Sequence, residues 1–371
     1  MPIPRAFVIA ISSLIFVPGS FAQTVAGLPA DAVHNIEQQV SSSMSKYHFP
    51  AASVAVVMDD KLVWSEAFGT SDLENLVPAT TATVFRLASV SKPITAVAIM
   101  QLVEAGKLRL DAPISDCVPQ FKPAQVPTIR QLLTHTSGVR HYRKDDDLTD
   151  PEFANTRPFA SVTQSVDQFR NDPLAFPPGS GFLYSTHGFT LLGSCVEQLT
   201  KVPFVDYVRQ NIFKPAGMSA SRDDLVTAMI PNRARPYSTN AEGIIENAPL
   251  LDTSNRIPGG GLISTASDMA RFAIALFDGK VLRPDMVSTM FAPTVLHAPD
   301  GTPFSIALGW AVGGSIGRDD EVWMGGNQPG ATAMLILIPK TRTAVVVLTN
   351  KGGEGGAVIQ LANGIAKAIG R

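Results

Sequence analysis

Apolar positions along this chain follow two different periods. Ser53 to Met58 is a nearly continuous apolar run, Asp59-Asp60 makes a turn, and Leu62 to Phe68 returns, which predicts a β-hairpin. Toward the C-terminus, Ile306 to Val312, Glu321 to Met324, Ala331 to Ile338 and Ala344 to Leu348 read as further strands, split by Gly and Pro. Helical spacing governs the rest. Ile94, Val97, Ala98, Leu102 and Ala105 share one stripe that stops at Gly106, and Val358, Leu361, Ala362, Ile365 and Ile369 form another within Ala357 to Ile369. Gly188 to Leu199 and Asp268 to Phe277 are also helical, and Thr265 with Asp268 is a capping-box pattern before the second of these.

Strands at both ends with helices between them predict an α/β (α+β) fold. Its antiparallel sheet is built from both chain ends and flanked by helices, and a mostly helical lobe is inserted. The sheet lobe is expected to take in about residues 23–100 and 255–371, the helical lobe about 101–254. A cleft between such lobes is a common place for a site.

Composition narrows the function classes. A chain of 371 residues with 45% hydrophobic and 17% charged can bury a large core. A net charge of -2 with a pI near 6.3 provides no electrostatic footprint for nucleic acid. Nucleic acid is therefore not an expected partner; the chemistry set out below makes a small-molecule or peptide substrate the expected one, and the oligomeric state is not encoded in any pattern seen. Arg5, the apolar run Ala6 to Val17, the break at Pro18-Gly19 and the small-x-small end Ser20-Phe21-Ala22 read as a signal peptide over residues 1–22. The apolar run is far short of the roughly 20 residues of a membrane span. The remaining chain, 23–371, is expected to be periplasmic or secreted and to keep no membrane anchor. Cys117 and Cys195 are the only cysteines; in an oxidising compartment they can pair, and two buried free thiols satisfy the sequence equally well. No H-E-x-x-H and no Cys/His ligand spacing occurs, so neither a metal nor another cofactor is expected.

The candidate chemistry is a Ser-x-x-Lys pair at the start of an apolar helix. A serine hydroxyl is a weak nucleophile until its proton is removed, and a lysine three positions on lies over the same helical face. The pattern occurs twice, at Ser43/Lys46 and at Ser89/Lys92. Ser43 lies in a polar stretch with nothing to exclude water. Ser89 lies between Phe85-Arg86-Leu87-Ala88 and the apolar helix, at a buried helix N-terminus that favours developing negative charge. Pro93 lacks an N–H, so the Ser89 carbonyl must find another partner or the first turn must be irregular. Gly313 to Gly317 is a formal G-x-S-x-G around Ser315, but its flanks read as a strand hairpin. The last histidine, His297, precedes Ser315, so the order required of a nucleophile elbow is absent. His135 reads as a structural residue of a turn. Arg140, His141, Arg143 and Lys144 before Asp145 to Asp147 read most simply as a solvated charged loop, with substrate contact as the alternative.

Taken in order, several segments resemble the serine β-lactamase and penicillin-binding-protein-like superfamily, nearest the class C-like branch and the mitochondrial β-lactamase-like serine protease. They are Phe85 to Lys92, Gln131 to Gly138, Pro178 to Ser185, Gly259 to Thr265 and Gly325 to Gly330. Ser137 to Tyr142 tilts the likeness to the mitochondrial type. The resemblance implies Ser89 as nucleophile, Lys92 as the group that tunes it, and Tyr184 as a second proton-transfer group. It implies an oxyanion hole of the Ser89 and Asn327 backbone N–H groups, with Thr186, Met324, Gly325 and Gly326 at the substrate. Free tyrosine titrates near 10 and free lysine near 10.4, so one of the two must titrate roughly 2–3 pH units lower to act as base at neutral pH. They form one coupled pair.

Two departures from the family pattern bear on substrate. Thr186 stands where Asn is usual, and Met324 where Lys or His is usual. In penicillin-recognising members the latter residue helps hold the substrate carboxylate. Losing a hydrogen bond to a charged group costs roughly 1.5–3 kcal/mol, about 10- to 150-fold. Arg256 and Arg318 are the cations that could take its place. The expected activity is that of a serine hydrolase acting on an ester or amide, with a class C-like β-lactamase or D,D-peptidase as one alternative. A non-catalytic binding protein on a decayed hydrolase fold is the other.

Overall fold

The computed structural model describes residues 27–144, 148–298, 300–314, 318 and 320–370. Residues 1–22, read as a signal peptide, lie outside the described residues, as do Asp145 to Asp147 and Ser315.

One nine-stranded sheet organises the molecule. Its strands in chain order are β1 (Ala51–Met58), β2 (Lys61–Asp72), β3 (Val77–Pro78), β4 (Thr294–His297), β5 (Pro303–Ala307), β6 (Trp310–Val312), β7 (Val322–Gln328), β8 (Ala331–Ile338) and β9 (Thr343–Thr349). Spatially they run β3-β2-β1-β9-β8-β7-β6-β5-β4, every pair antiparallel. The two chain ends meet where β1 pairs β9, Ala52 opposite Thr349, so the sheet is assembled from both ends as the sequence indicates.

Helices cover both faces. Helices α1 (Ala30–Tyr47) and α6 (Gly355–Ala368) pack on one, through Ile36, Val40, Val358, Leu361 and Ile365. Helices α2 (Ser91–Glu104) and α5 (Ala266–Phe277) pack on the other. Side chains alternate between faces along a strand. In β1, Ala51, Ala55 and Val57 join one core, and Ala52, Val54 and Val56 the other. Burial on both faces is why the central strands read as unbroken apolar runs rather than as alternating patterns.

One strand differs from its sequence reading. Ile306 to Val312 is not a single strand but two, β5 and β6, paired with Ala307 opposite Trp310 and turning at Leu308-Gly309. Gly309 turns at φ +83, and a Cβ there would lie 2.6 Å from the Ala96 Cβ on α2. The turn is buried against that helix, so it carries apolar residues instead of the polar ones that mark an exposed turn. Strand β7 also runs four residues past Met324, to Gln328.

Between α2 and α5 lie α3 (Thr186–Thr200), α4 (Ile257–Gly260) and several shorter helices joined by loops. Cys117 and Cys195 are paired in a disulfide that ties α3 to the loop after α2, closing 78 residues of sequence. Both cysteines are buried. A loop of that length gains about 4 kcal/mol from the disulfide in the chain-entropy treatment. Replacing both cysteines by serine is expected to lower the urea midpoint by an amount equivalent to about 2–4 kcal/mol, and dithiothreitol is expected to do the same to the parent protein. An unchanged midpoint under reducing conditions would contradict the pairing.

Candidate active site

Ser89 lies half-buried in a 3-10 turn, Ala88–Val90, that leads into α2. The missing N–H of Pro93 is resolved here. The Ser91 N–H is shared between the carbonyls of Ala88 and Ser89, and the first turn is 3-10 rather than α. Ala88 is buried at φ +46, a left-handed conformation that costs a residue with a Cβ roughly 1 kcal/mol or more. Surrounding contacts hold it there. Phe85–Arg86 pairs with Leu262–Ser264, and the Leu87 N–H donates to the Leu262 carbonyl at 2.9 Å.

Strand β7 passes directly beside this turn. A Cβ on Gly326 would come within 2.4 Å of the Leu87 carbonyl oxygen and 3.0 Å of the Ser89 nitrogen, so only glycine allows the approach. Arg86 secures the strand end: its Nε donates to Asp224 at 2.6 Å and its Nη1 to the Pro329 carbonyl at 3.0 Å. Gln328 and Ala331 close the β7–β8 hairpin around Pro329-Gly330. Because antiparallel ladders alternate paired and outward residues, Asn327 turns its N–H away from β8. β6 pairs only with Val322 and Trp323 and leaves that stretch of edge uncovered. The Asn327 side chain is held by the Gly353 N–H at 2.8 Å.

Lys92 is fully buried, and its ammonium donates to Ser89 Oγ at 3.1 Å, to Thr186 Oγ1 at 3.2 Å and to the Gly259 carbonyl at 2.7 Å. It lies over the Tyr184 ring at 4.6 Å. Thr186 begins α3 behind the Ser185 cap, whose hydroxyl accepts from the Gly188 N–H. Ser89, Tyr184, Thr186 and Asn327 line one cavity of about 180 Å³. Met324, Gly325 and Gly326 do not line it. Met324 is buried in the core beneath the sheet, and the two glycines set the distance of β7 from the serine turn. Arg318 is ion-paired to Asp320 at 2.8 Å and lies outside the cavity, whereas Arg256 forms part of its wall. Ser43 lines a separate groove of about 310 Å³ between α1 and α6, among amides and hydroxyls; Lys46 lies over the Tyr47 ring at 4.8 Å.

The loop after Gly138 is only in part the solvated charged segment of its reading: Arg143 and Lys144 are exposed, whereas Arg140 and His141 are not. Arg140 is mostly buried and donates to both oxygens of Glu152 at 2.7 Å and to Asp172 at 2.7 Å. His187 bonds the same Glu152 at 3.2 Å and stacks on Phe169 at 4.2 Å. This cluster fixes the loop so that His141 and Tyr142 form cavity wall, with His141 Nδ1 accepting from the Thr186 N–H at 3.3 Å. Glu152 and Asp172 carry no local sequence signal, because they reach Arg140 only through the tertiary fold. His135 is buried beneath Tyr184, ring centroids 4.5 Å apart, and its Nδ1 accepts from the Ser185 N–H at 3.1 Å. Burial, and then the charge of Lys92, hold it well below 6.5.

Burial pushes His187 down to about 4, against the opposing pull of Glu152. Burial alone would raise Glu152, but its hydrogen bonds from His187 and Arg140 outweigh that and hold it at about 2. Between 6.5 and about 4 the unfolded imidazole binds a proton that the folded one refuses, so stability falls as pH falls through that window. Below 4.5 the unfolded Glu152 carboxyl protonates first and the loss continues toward about 2. The His187 contribution is expected to reach about 3 kcal/mol. Urea midpoints measured from pH 7 to pH 4 should show it, with a shallower slope in His187→Gln; a flat profile would refute it.

Comparison with known proteins agrees with this arrangement. The sequence pattern of the family described as Beta-lactamase matches residues 27–368. The human mitochondrial serine beta-lactamase-like protein LACTB is 33% identical over 313 residues, which cover 67% of this chain and 56% of that protein. The chain thus spans a little over half the length of that relative. Among solved structures, a penicillin-binding protein from Bacillus halodurans superposes with a TM-score of 0.73 at 28% identity, covering 86% of this chain and 97% of that one. The D-amino acid amidase from Ochrobactrum anthropi shares the fold, with a TM-score of 0.79 at 22% identity over 92% of this chain and 99% of the other.

Proposed function

Starting from the fact that the chain belongs to the Beta-lactamase family, whose members are serine hydrolases, we propose that it cleaves an ester or amide, peptide-like in the second case, through an acyl-enzyme on Ser89. The observation that carries this reading is the bond from buried Lys92 to Ser89 Oγ at 3.1 Å, beside Tyr184 and at the mouth of a cavity. The Ser89 proton passes to the Lys92–Tyr184 pair, Oγ bonds to the substrate carbonyl carbon, and the carbonyl oxygen takes up negative charge. The Ser89 and Asn327 N–H groups face that charge. Collapse breaks the bond to the leaving group, which departs with the proton. Water then adds to the acyl carbon under the same pair, releasing a carboxylic acid and restoring Ser89.

A buried apolar Met324 in place of a third-box cation supports an esterase or peptidase over an efficient β-lactamase. Among the described residues no helix is long and apolar enough to cross a membrane. The disulfide favours an exported protein, since such bonds persist in oxidising compartments. Pure protein assayed side by side with nitrocefin, 4-nitrophenyl butyrate and a short peptide panel tests the assignment. Turnover of the ester or a peptide above nitrocefin is the expected result. No turnover of any of them, together with no labelling by a fluorophosphonate, would make this a binding protein instead.

A further inference from the structure

Arg256 is only 3% exposed and lines the cavity that holds Ser89, yet its Nε and Nη2 are buried without any hydrogen-bond partner. Among the described residues no carboxylate comes within ion-pair distance of it. Asp252, four residues before it, is bonded to the Ser254 hydroxyl and N–H, and Glu152, beside Phe153 in the chain, to Arg140 and His187. What holds the guanidinium is aromatic, the Tyr142 and Phe153 rings at 5.4 and 5.5 Å. A second donor in the same cavity is equally idle. Gln328 is 5% exposed and its Nε2 is buried and unbonded.

Buried donors are normally satisfied, and a buried charge stripped of its partner is among the costliest arrangements a fold can hold. Two such donors converge on one cavity, where a single acceptor group would satisfy both. A guanidinium fork matches a carboxylate in two-point geometry. Its position is close to the reacting serine. A Cβ on Gly260 would lie 4.0 Å from Arg256 Cδ and 3.8 Å from the Ala88 carbonyl carbon, so one glycine separates Arg256 from the Ser89 turn.

We infer that Arg256 and Gln328 form a carboxylate subsite, and that the substrate is an ester or amide bearing a free carboxylate a few bonds from the scissile carbonyl. This rests on the serine-hydrolase reading for its chemistry, but not for its binding. The charge is supplied from the segment before α4 rather than from Met324 on β7.

The test compares mono-4-nitrophenyl glutarate with 4-nitrophenyl valerate, which differ by a carboxylate in place of a methyl. Wild-type protein is expected to prefer the charged ester in kcat/KM. Arg256→Met should lower the charged-to-neutral ratio at least about tenfold. Arg256→Lys should restore part of it, and Gln328→Leu, which removes the unbonded Nε2 donor, should lower it about threefold. A purely structural role would depress both esters alike and leave the ratio unchanged, which would overturn the proposal. Binding is read separately on Ser89→Ala protein by calorimetry with the matching 4-nitroanilides. Tighter binding of the glutaric anilide, with neither ester hydrolysed by wild-type protein, would sink the hydrolase reading and uphold the subsite. Equal binding of the two anilides would sink the subsite.

Discussion

Ser89→Ala is expected to lower ester turnover by at least about 10³-fold and to abolish covalent labelling by a fluorophosphonate, while Ser43→Ala leaves both unchanged. Both serines precede a lysine by three residues, so the motif does not separate them. Their surroundings do. Ser89 Oγ receives a bond from a lysine that is fully buried and further bonded to Thr186 and Gly259. Lys46 is an exposed residue on the last turn of α1. Removing the Ser89 hydroxyl leaves the cavity, the donors of β7 and the Lys92–Tyr184 pair with no atom to form the acyl bond. Intact-protein mass spectrometry after labelling decides the matter: an adduct that persists in Ser89→Ala, or disappears in Ser43→Ala, refutes the assignment.

Gly326→Ala is the second large effect, and a single methyl group causes it. The added carbon would sit 2.4 Å from the Leu87 carbonyl oxygen, inside any contact distance, and 3.0 Å from the Ser89 nitrogen. Neither neighbour can yield. Leu87 is hydrogen-bonded to Leu262, and β7 is paired with β8 along its whole length. The strand must therefore move outward by several tenths of an ångström or more, widening the gap between the Ser89 and Asn327 N–H groups. Displacements of about 1 Å at a reacting centre cost on the order of 10²-fold in rate, and overpacking costs about 1–3 kcal/mol. The expected result is kcat lower by about 10²-fold with a smaller change in KM, and a thermal midpoint lower by a few degrees. Gly325→Ala, where the nearest heavy atom would be 3.8 Å away, is the control and should be mild. Comparable loss in both variants would show that the close approach of β7 is not what matters.

The patterns that proved readable are those written in adjacent residues. The hairpin of β1 and β2, the stripes of α2 and α6, and the Thr265 cap of α5 all follow from side-chain period and local hydrogen bonding. The Thr265 cap keeps only one half of the capping-box pattern. Its hydroxyl accepts from the Asp268 N–H, but the Asp268 carboxylate is drawn to the Ala220 N–H and the Ser221 hydroxyl instead of back to the cap. The buried turn at Gly309 was missed because its neighbours are apolar for contact with α2, a partner more than two hundred residues earlier. The burial of Arg140 is hidden from the sequence for the same reason, since Glu152 and Asp172 neutralise it and His187 packs beside it only once the chain is folded.

Residue order alone was enough to determine an antiparallel sheet drawn from both termini, a Ser-x-x-Lys turn at the head of an apolar helix, and kinship with serine hydrolases. Folding in three dimensions settled which of two Ser-x-x-Lys motifs bonds a buried lysine to its serine, that Cys117 and Cys195 join, and that Arg256 rather than Arg318 presents an unmatched charge beside Ser89. The division has a physical cause. Periodicity and caps act over a few residues, whereas burial, charge pairing and the approach of one backbone to another depend on residues far apart in the chain.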